Sequence, residues 1–238
     1  MSLLQVDVWA WSLDEAPEER ARLARFLNGE ERTRAARFAL RELSERWTVA
    51  RGRLREVLGA RLNMAPADLR FGRDARGKPF LEGGTSLAFN LSHTGDIAAL
   101  AVAAHGDLGI DIELVRPLRE PVAERFFSVA ENQVLNAHAE DHREAAFYRC
   151  WTRKEAFIKA MGTGLSTPLE SFDVAFALGE PPRLLRVEGA PEEPANWVFW
   201  HFAPRPDCMG AAAVRAREAH FRFNCDGIVF NDRIAVPQ

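Results

Sequence analysis

The apolar positions run in two different periods along the chain, and their alternation maps the elements. Val6 to Leu13 is apolar and tryptophan-rich, which predicts a strand. Pro17, followed by Glu18 and Glu19, opens a helix that the Asn28-Gly29 pair is expected to stop. Glu30 to Leu58 is rich in Ala, Arg, Glu and Leu and predicts a short helix followed by a longer one from Glu42. Ala65 to Asp68 reads as a loop, and turns are expected at Asp74 to Pro79 and at Gly83-Gly84. Leu87 to Asn90, Ile97 to Ala103 and Leu108 to Glu113 predict three strands, separated by turns at Gly95-Asp96 and His105 to Asp107. Helices follow over Val122 to Phe127, Ala130 to His138 and Glu144 to Met161, the last ended by Gly162-Thr163-Gly164. Strands return over Phe172 to Leu178, Leu184 to Val187, Trp197 to Phe202 and Met209 to Arg215. Each half therefore reads as helices on a mostly antiparallel sheet, an α+β fold, with the halves meeting near Ala104 to Leu108.

Composition narrows the class. The chain has 238 residues, 47% of them apolar, enough for a real core. With 27% charged residues it is not a disordered chain. A net charge of −3 supplies no global basic field for nucleic acid. The longest apolar run, Ile97 to Ala104, is too short to span a bilayer, and Met1 to Ala10 lacks the basic cluster of a signal peptide. Cys150, Cys208 and Cys225 are odd in number and widely spaced, as expected of reduced cytosolic thiols. Of 31 basic residues only Lys78, Lys154 and Lys159 are lysines.

Four groups of residues can carry chemistry. In Gly109-Ile110-Asp111-Ile112-Glu113, strand alternation puts Asp111 and Glu113 on one face. Paired carboxylates repel and invite a divalent cation, although the spacing by itself equally suits a solvated strand face. Trp151, Glu155 and Lys159 lie four apart and share a helix face. Asn90-Leu91-Ser92-His93 carries a strand into a turn that presents a hydroxyl and an imidazole. Strand neighbours point apart and no Gly-x-Ser-x-Gly elbow is present, so ligand contact fits that pair better than a hydrolytic relay. Arg76-Gly77-Lys78-Pro79 is a basic turn. The carboxylates alone would serve a magnesium-dependent phosphohydrolase as well as a transferase.

Taken in order, these groups resemble the Sfp-type 4'-phosphopantetheinyl transferases. The matching motifs are Gly77 to Pro79, Asn90 to His93, Gly109 to Glu113, Arg125 to Ser128 with Glu131, Trp151 to Lys159, and Gly162 to Leu165, spanning about residues 30 to 178. The resemblance implies two pseudo-symmetric halves, 1–104 on the nucleotide side and 105–238 on the metal and catalytic side, with the active-site cleft between them. It implies a cytoplasmic monomer that moves 4'-phosphopantetheine from coenzyme A to a serine of an acyl or peptidyl carrier protein. Asp111, Glu113 and Glu155 would hold magnesium, with Asp111, Glu155 and Lys159 catalytic and Lys159 also on the coenzyme A phosphates. Ser92 and His93 would bind the 3'-phosphate end, with Lys78 and Arg46 nearby and Arg34 as a further phosphate contact. Glu131, or a water on the acidic cluster, would be the general base. Glu31 and Asp96 depart from the pattern by standing where some relatives carry basic residues, and Asn136 to Glu144 falls in a variable region tied to carrier choice.

Overall fold

The computed structural model describes residues 3–118 and 122–224. Its elements follow the two periods of the sequence. Strand β1 (Leu4–Ser12) leads to helices α1 (Pro17–Ala24), α2 (Gly29–Ala36) and α3 (Arg41–Leu62). A hairpin, β2 (Phe71–Arg73) and β3 (Pro79–Leu81), precedes β4 (Ala88–Thr94), β5 (Ile97–Ala103) and β6 (Leu108–Leu114). Helices α4 (Val122–Phe126), α5 (Val129–Asn136) and α6 (Glu140–Met161) follow, then β7 (Phe172–Val174), β8 (Leu184–Val187), β9 (Trp197–Arg205), β10 (Cys208–Arg215) and β11 (Ala219–Phe223).

Two sheets organise these elements, ordered β11-β1-β5-β4 and β6-β10-β9. All neighbours are antiparallel except β1 and β11, which run parallel. β5 is buried on both faces, so its residues divide by parity. Ala98, Leu100 and Val102 face a cluster containing Leu54 and Leu58 of α3. Ile97, Ala99 and Ala101 join Ile110 and Ile112 of β6 and Ala212 of β10 in a cluster shared by the two sheets. On the other face of the second sheet, Ala211 and Ala213 pack with Ala156, Phe157 and Ala160 of α6. Layer order is thus α3, sheet, sheet, α6, an α+β architecture.

Three local expectations change. Asn28 does not stop a helix; its side chain accepts from the Glu31 amide and caps α2 in a reciprocal capping box. The strand expected to end at Asn90 continues through Ser92, His93 and Thr94 before the Gly95-Asp96 turn. β11, absent from the expected strands, alternates Ala219, Phe221 and Phe223 against His220 and Arg222, and it returns to pair with β1, so the second part of the chain supplies an edge strand to the first sheet. Glu31 also receives Arg51 and Arg55 across α2 and α3, at 2.6 and 2.8 Å. Burial pushes its carboxyl up, but the two guanidiniums more than offset this and hold it below its ordinary value. Cys225 lies outside the described residues.

Candidate active site

The edges of the two sheets meet where β4 lies beside β6. Because β4 continues to Thr94, Asn90, Ser92 and Thr94 share one face by strand period. Each reaches β6: Asn90 Oδ1 accepts from the Ile110 amide at 2.9 Å, Ser92 Oγ donates to Asp111 Oδ1 at 3.0 Å, and Thr94 Oγ1 donates to Glu113 Oε2 at 3.1 Å. The third rung was legible in the sequence only if the strand was carried four residues beyond Asn90, to Thr94.

Helix α6 closes on the other side of β6. Gly109 has no side chain to hold it off: a Cβ there would stand 2.0 Å from the Ala156 carbonyl oxygen. That close approach brings Lys159 Nζ to 2.5 Å from Asp111 Oδ1 and 3.1 Å from Ser92 Oγ. Ser92, His93, Asp111, Glu113, Trp151, Glu155 and Lys159 then line one cavity of about 710 Å³, walled further by Arg125, Phe126 and Thr167 to Glu170. Trp151 is backed by Phe147, stacked at 5.7 Å between centroids, and by Phe126 edge-on at 5.8 Å. Nothing in the sequence periods singled out the wall from Thr167 to Glu170.

The electrostatics of the cavity are set by crowded acids. Burial pushes up the carboxyls of Asp111 and Glu113, the latter also through the charge of Asp111. Burial, then Asp111, raises Glu155 to about 7. Asp111 Oδ2 is buried without any hydrogen-bond donor. His93 sits on the rim, its protonated form disfavoured by the surrounding protein and by Lys159. Among the described residues no three Asp, Glu, His or Cys side chains form a ready-made metal site. The carboxylates of Asp111, Glu113 and Glu155 at this cavity are nevertheless hard oxygen donors, with one orphaned buried atom and mutually raised carboxyls, and they suit a small divalent cation.

The remaining expected residues are elsewhere. Glu131 is buried at the start of α5, where it accepts from the Ser128 and Val174 amides at 3.0 and 2.9 Å. Its carboxylate also pairs with the fully buried Lys154 Nζ at 2.7 Å. These partners commit Glu131 to a buried ion pair, and it is not among the residues that line the cavity. Breaking such a pair leaves a buried ammonium, so Glu131→Gln should cost about 3–5 kcal/mol by chemical denaturation. Activity per folded molecule should be unchanged, and a selective loss of turnover would restore the base.

Arg46 also stands outside the cavity, held bidentately by Asp14 at 2.7 and 2.8 Å and by Glu42 at 2.7 Å. Arg34 is exposed on α2 with its guanidinium 5.7 Å from the Trp47 ring, and it lines a separate cleft with Arg51 and Arg73. The Lys78 ammonium is spent on two carbonyl oxygens, of Leu108 at 3.1 Å and Ala160 at 2.6 Å. Cys150 and Cys208 are buried, with burial raising the Cys208 thiol to about 12, so neither is a nucleophile at neutral pH.

Two family models divide the chain between them. Residues 11–105 match the N-terminal model of 4'-phosphopantetheinyl transferases, and residues 107–215 match the 4'-phosphopantetheinyl transferase superfamily. HetI of Nostoc, a 4'-phosphopantetheinyl transferase, is 36% identical over 217 residues, covering 88% of this chain and 87% of that protein. The chain belongs to the 4'-phosphopantetheinyl transferase superfamily. Sfp of Bacillus subtilis is 36% identical over 157 residues, 66% of this chain and 70% of its own length. AcpT of Salmonella typhimurium is 43% identical over 89 residues, 37% of this chain. The two family models meet between residues 105 and 107, in the turn that joins β5 to β6. The chain is thus an enzyme of the phosphopantetheinyl transferase class. Among the described residues no helix is long and apolar enough to cross a membrane.

Proposed function

We propose that this enzyme transfers 4'-phosphopantetheine from coenzyme A to a serine hydroxyl of an apo acyl or peptidyl carrier protein, releasing 3',5'-ADP. The observation that carries the reading is the convergence of Asp111, Glu113, Glu155, Lys159, Ser92 and His93 on one cavity at the β4–β6 seam. Phosphoryl transfer is achieved mainly by positioning and electrostatics, and this cavity supplies both.

Asp111, Glu113 and Glu155 would hold a magnesium ion. When bound, the ion offsets charge on the diphosphate. Lys159, whose ammonium already bridges Asp111 and Ser92, is placed to neutralise the leaving phosphate. Ser92 and His93 form the rim that receives the nucleotide's 3'-phosphate end. The carrier serine Oγ attacks the β-phosphorus, its bond to the bridging oxygen of the diphosphate breaks, and the pair of electrons leaves with 3',5'-ADP. A water held by the acidic cluster of Asp111, Glu113 and Glu155 takes the serine proton. Arg34 and Arg46 offer basic surface only outside the cavity, on α2 and α3.

The direct test incubates the protein with coenzyme A, magnesium and a panel of apo carriers, then weighs each carrier. A mass gain of one phosphopantetheinyl group is expected. Phosphate release from coenzyme A without a carrier would support the phosphohydrolase alternative, which uses the same carboxylates. Turnover that persists under chelation would remove the metal from the reading.

Metal binding and protonation compete for the same oxygens. Glu155 is raised to about 7 in the metal-free protein, so at lower pH it must shed a proton before it can ligate. Magnesium affinity should therefore weaken as pH falls below about 7, with proton release on binding. Calorimetry in buffers of different ionisation enthalpy reads both, and pH-independent affinity would exclude Glu155 from the ligand set.

A further inference from the structure

The C-terminus of α6 is closed by a hairpin from the other half of the molecule. An α-helix leaves its last four carbonyls without internal partners. In α6 these belong to Ile158, Lys159, Ala160 and Met161. Gly162, left-handed at φ 69°, turns the chain so that its amide and that of Thr163 reach back to the Lys159 and Ile158 oxygens at 3.2 Å each. The other two oxygens are taken by the β2–β3 turn. Lys78 Nζ donates to Ala160 at 2.6 Å, and an Arg76 guanidinium N–H donates to Met161 at 2.9 Å. Both cations also face the negative end of the helix dipole.

The turn is built for this task. Asp74 Oδ1 accepts from the Arg76 and Lys78 amides at 2.9 and 2.8 Å, and Gly77 adopts φ 86°. Lys78 Nζ donates a second bond, to the Leu108 oxygen at 3.1 Å. Leu108 begins β6, the strand of Asp111 and Glu113, while Ala160 follows Lys159 on α6. One ammonium thus ties the acid-bearing strand to the lysine-bearing helix, three residues from Asp111 on one side and adjacent to Lys159 on the other.

We infer that Lys78, seconded by Arg76, is a positioning residue. It clasps the C-terminal turn of α6 to the start of β6 and thereby sets the register of Lys159 and Glu155 against Asp111. A nucleotide-binding lysine needs a free ammonium, whereas this one is half-buried and committed to two carbonyls. The inference rests on the transferase reading only for its kinetic arm.

Lys78→Met and Arg76→Ala separate the roles. A displacement of order 1 Å at a reacting group costs on the order of 100-fold, so Lys78→Met should lower kcat by about 10- to 100-fold. Arg76→Ala, which gives up one exposed bond, should lower it less. The coenzyme A Kd, measured by calorimetry without carrier, should stay at the wild-type value. Amide hydrogen exchange at Gly162 and Thr163 should accelerate in both variants, whether or not transfer is assayed. If Lys78→Met does not fold, Arg76→Ala carries the same comparison. A raised coenzyme A Kd with unchanged exchange would make Lys78 a nucleotide contact and overturn the clasp, as would wild-type kcat with wild-type exchange. Failure of the wild-type protein to modify any carrier would sink the transferase reading and leave the exchange result standing.

Discussion

Asp111→Ala should lower phosphopantetheinyl transfer by roughly 100- to 1,000-fold, the usual loss when a preorganised charge at a reacting centre is removed. Asp111 is the point on which the cavity's other charges turn. Its Oδ1 receives both Lys159 and Ser92, and its Oδ2 is buried and free. Removing it releases Lys159, takes the central carboxylate from the acid set, and lowers the repulsion that raises Glu113 and Glu155. Stability should move the other way or not at all. Burial disfavours the charged Asp111 in the fold and raises its carboxyl above the ordinary 3.8. A group with a raised folded value weakens the fold once pH exceeds its unfolded value, so in chelator Asp111→Asn should match or exceed the wild-type melting temperature at neutral pH. Any such gain should vanish below pH 3.8, where the unfolded carboxyl is also protonated. Thermal melts with and without magnesium check this. A large loss of stability in chelator would show that Asp111 serves the fold instead of the site.

Gly109→Ala should damage fold and activity together. The added methyl would meet the Ala156 oxygen at 2.0 Å, the Ala160 nitrogen at 2.4 Å and the Ala160 Cα at 3.0 Å. All three are helix backbone, so no side-chain rotation relieves the clash. Overpacking of this kind costs about 1–3 kcal/mol or more, and relief requires α6 to move away from β6. That movement separates Glu155 and Lys159 from Asp111 and Glu113, so turnover should fall about 100-fold or more even at temperatures where the variant is folded. Denaturant midpoints and single-turnover transfer read the two effects. Wild-type turnover in a folded Gly109→Ala protein would mean that the seam tolerates a wider spacing.

Glu131, Lys154 and Lys78 show how the same residue types serve different ends. Glu131 and Lys154 belong to motifs that also contain cavity residues and Lys78 to one that does not, yet all three are consumed by backbone carbonyls, amides or one another. Lys154 Nζ donates to the Leu169 and Phe172 oxygens at 2.8 and 2.6 Å as well as pairing with Glu131. Those bonds fix the segment from Leu169 to Val174, whose start forms part of the cavity wall. Two of the three lysines therefore brace the walls, and one, Lys159, lines the cavity.

Local periodicity was enough to read the strand face of Asp111 and Glu113, the helix stripe of Trp151, Glu155 and Lys159, and the glycine stop at Gly162. Periods of 2 and 3.6 residues are properties of the backbone itself, so the sequence by itself determined which side chains stand together on each element. The elements and the α+β class followed from the same signal. Tertiary structure alone decided what those faces meet. The parallel return of β11 to β1, the run of β4 through Thr94 to reach Glu113, and the closing of Lys78 onto α6 all join residues far apart in the chain. Contacts of that kind are bought by packing and by the need to satisfy buried polar groups, and neither leaves a period in the sequence. The acids were visible as two separate patterns; their convergence depended on a glycine that lets a helix touch a strand.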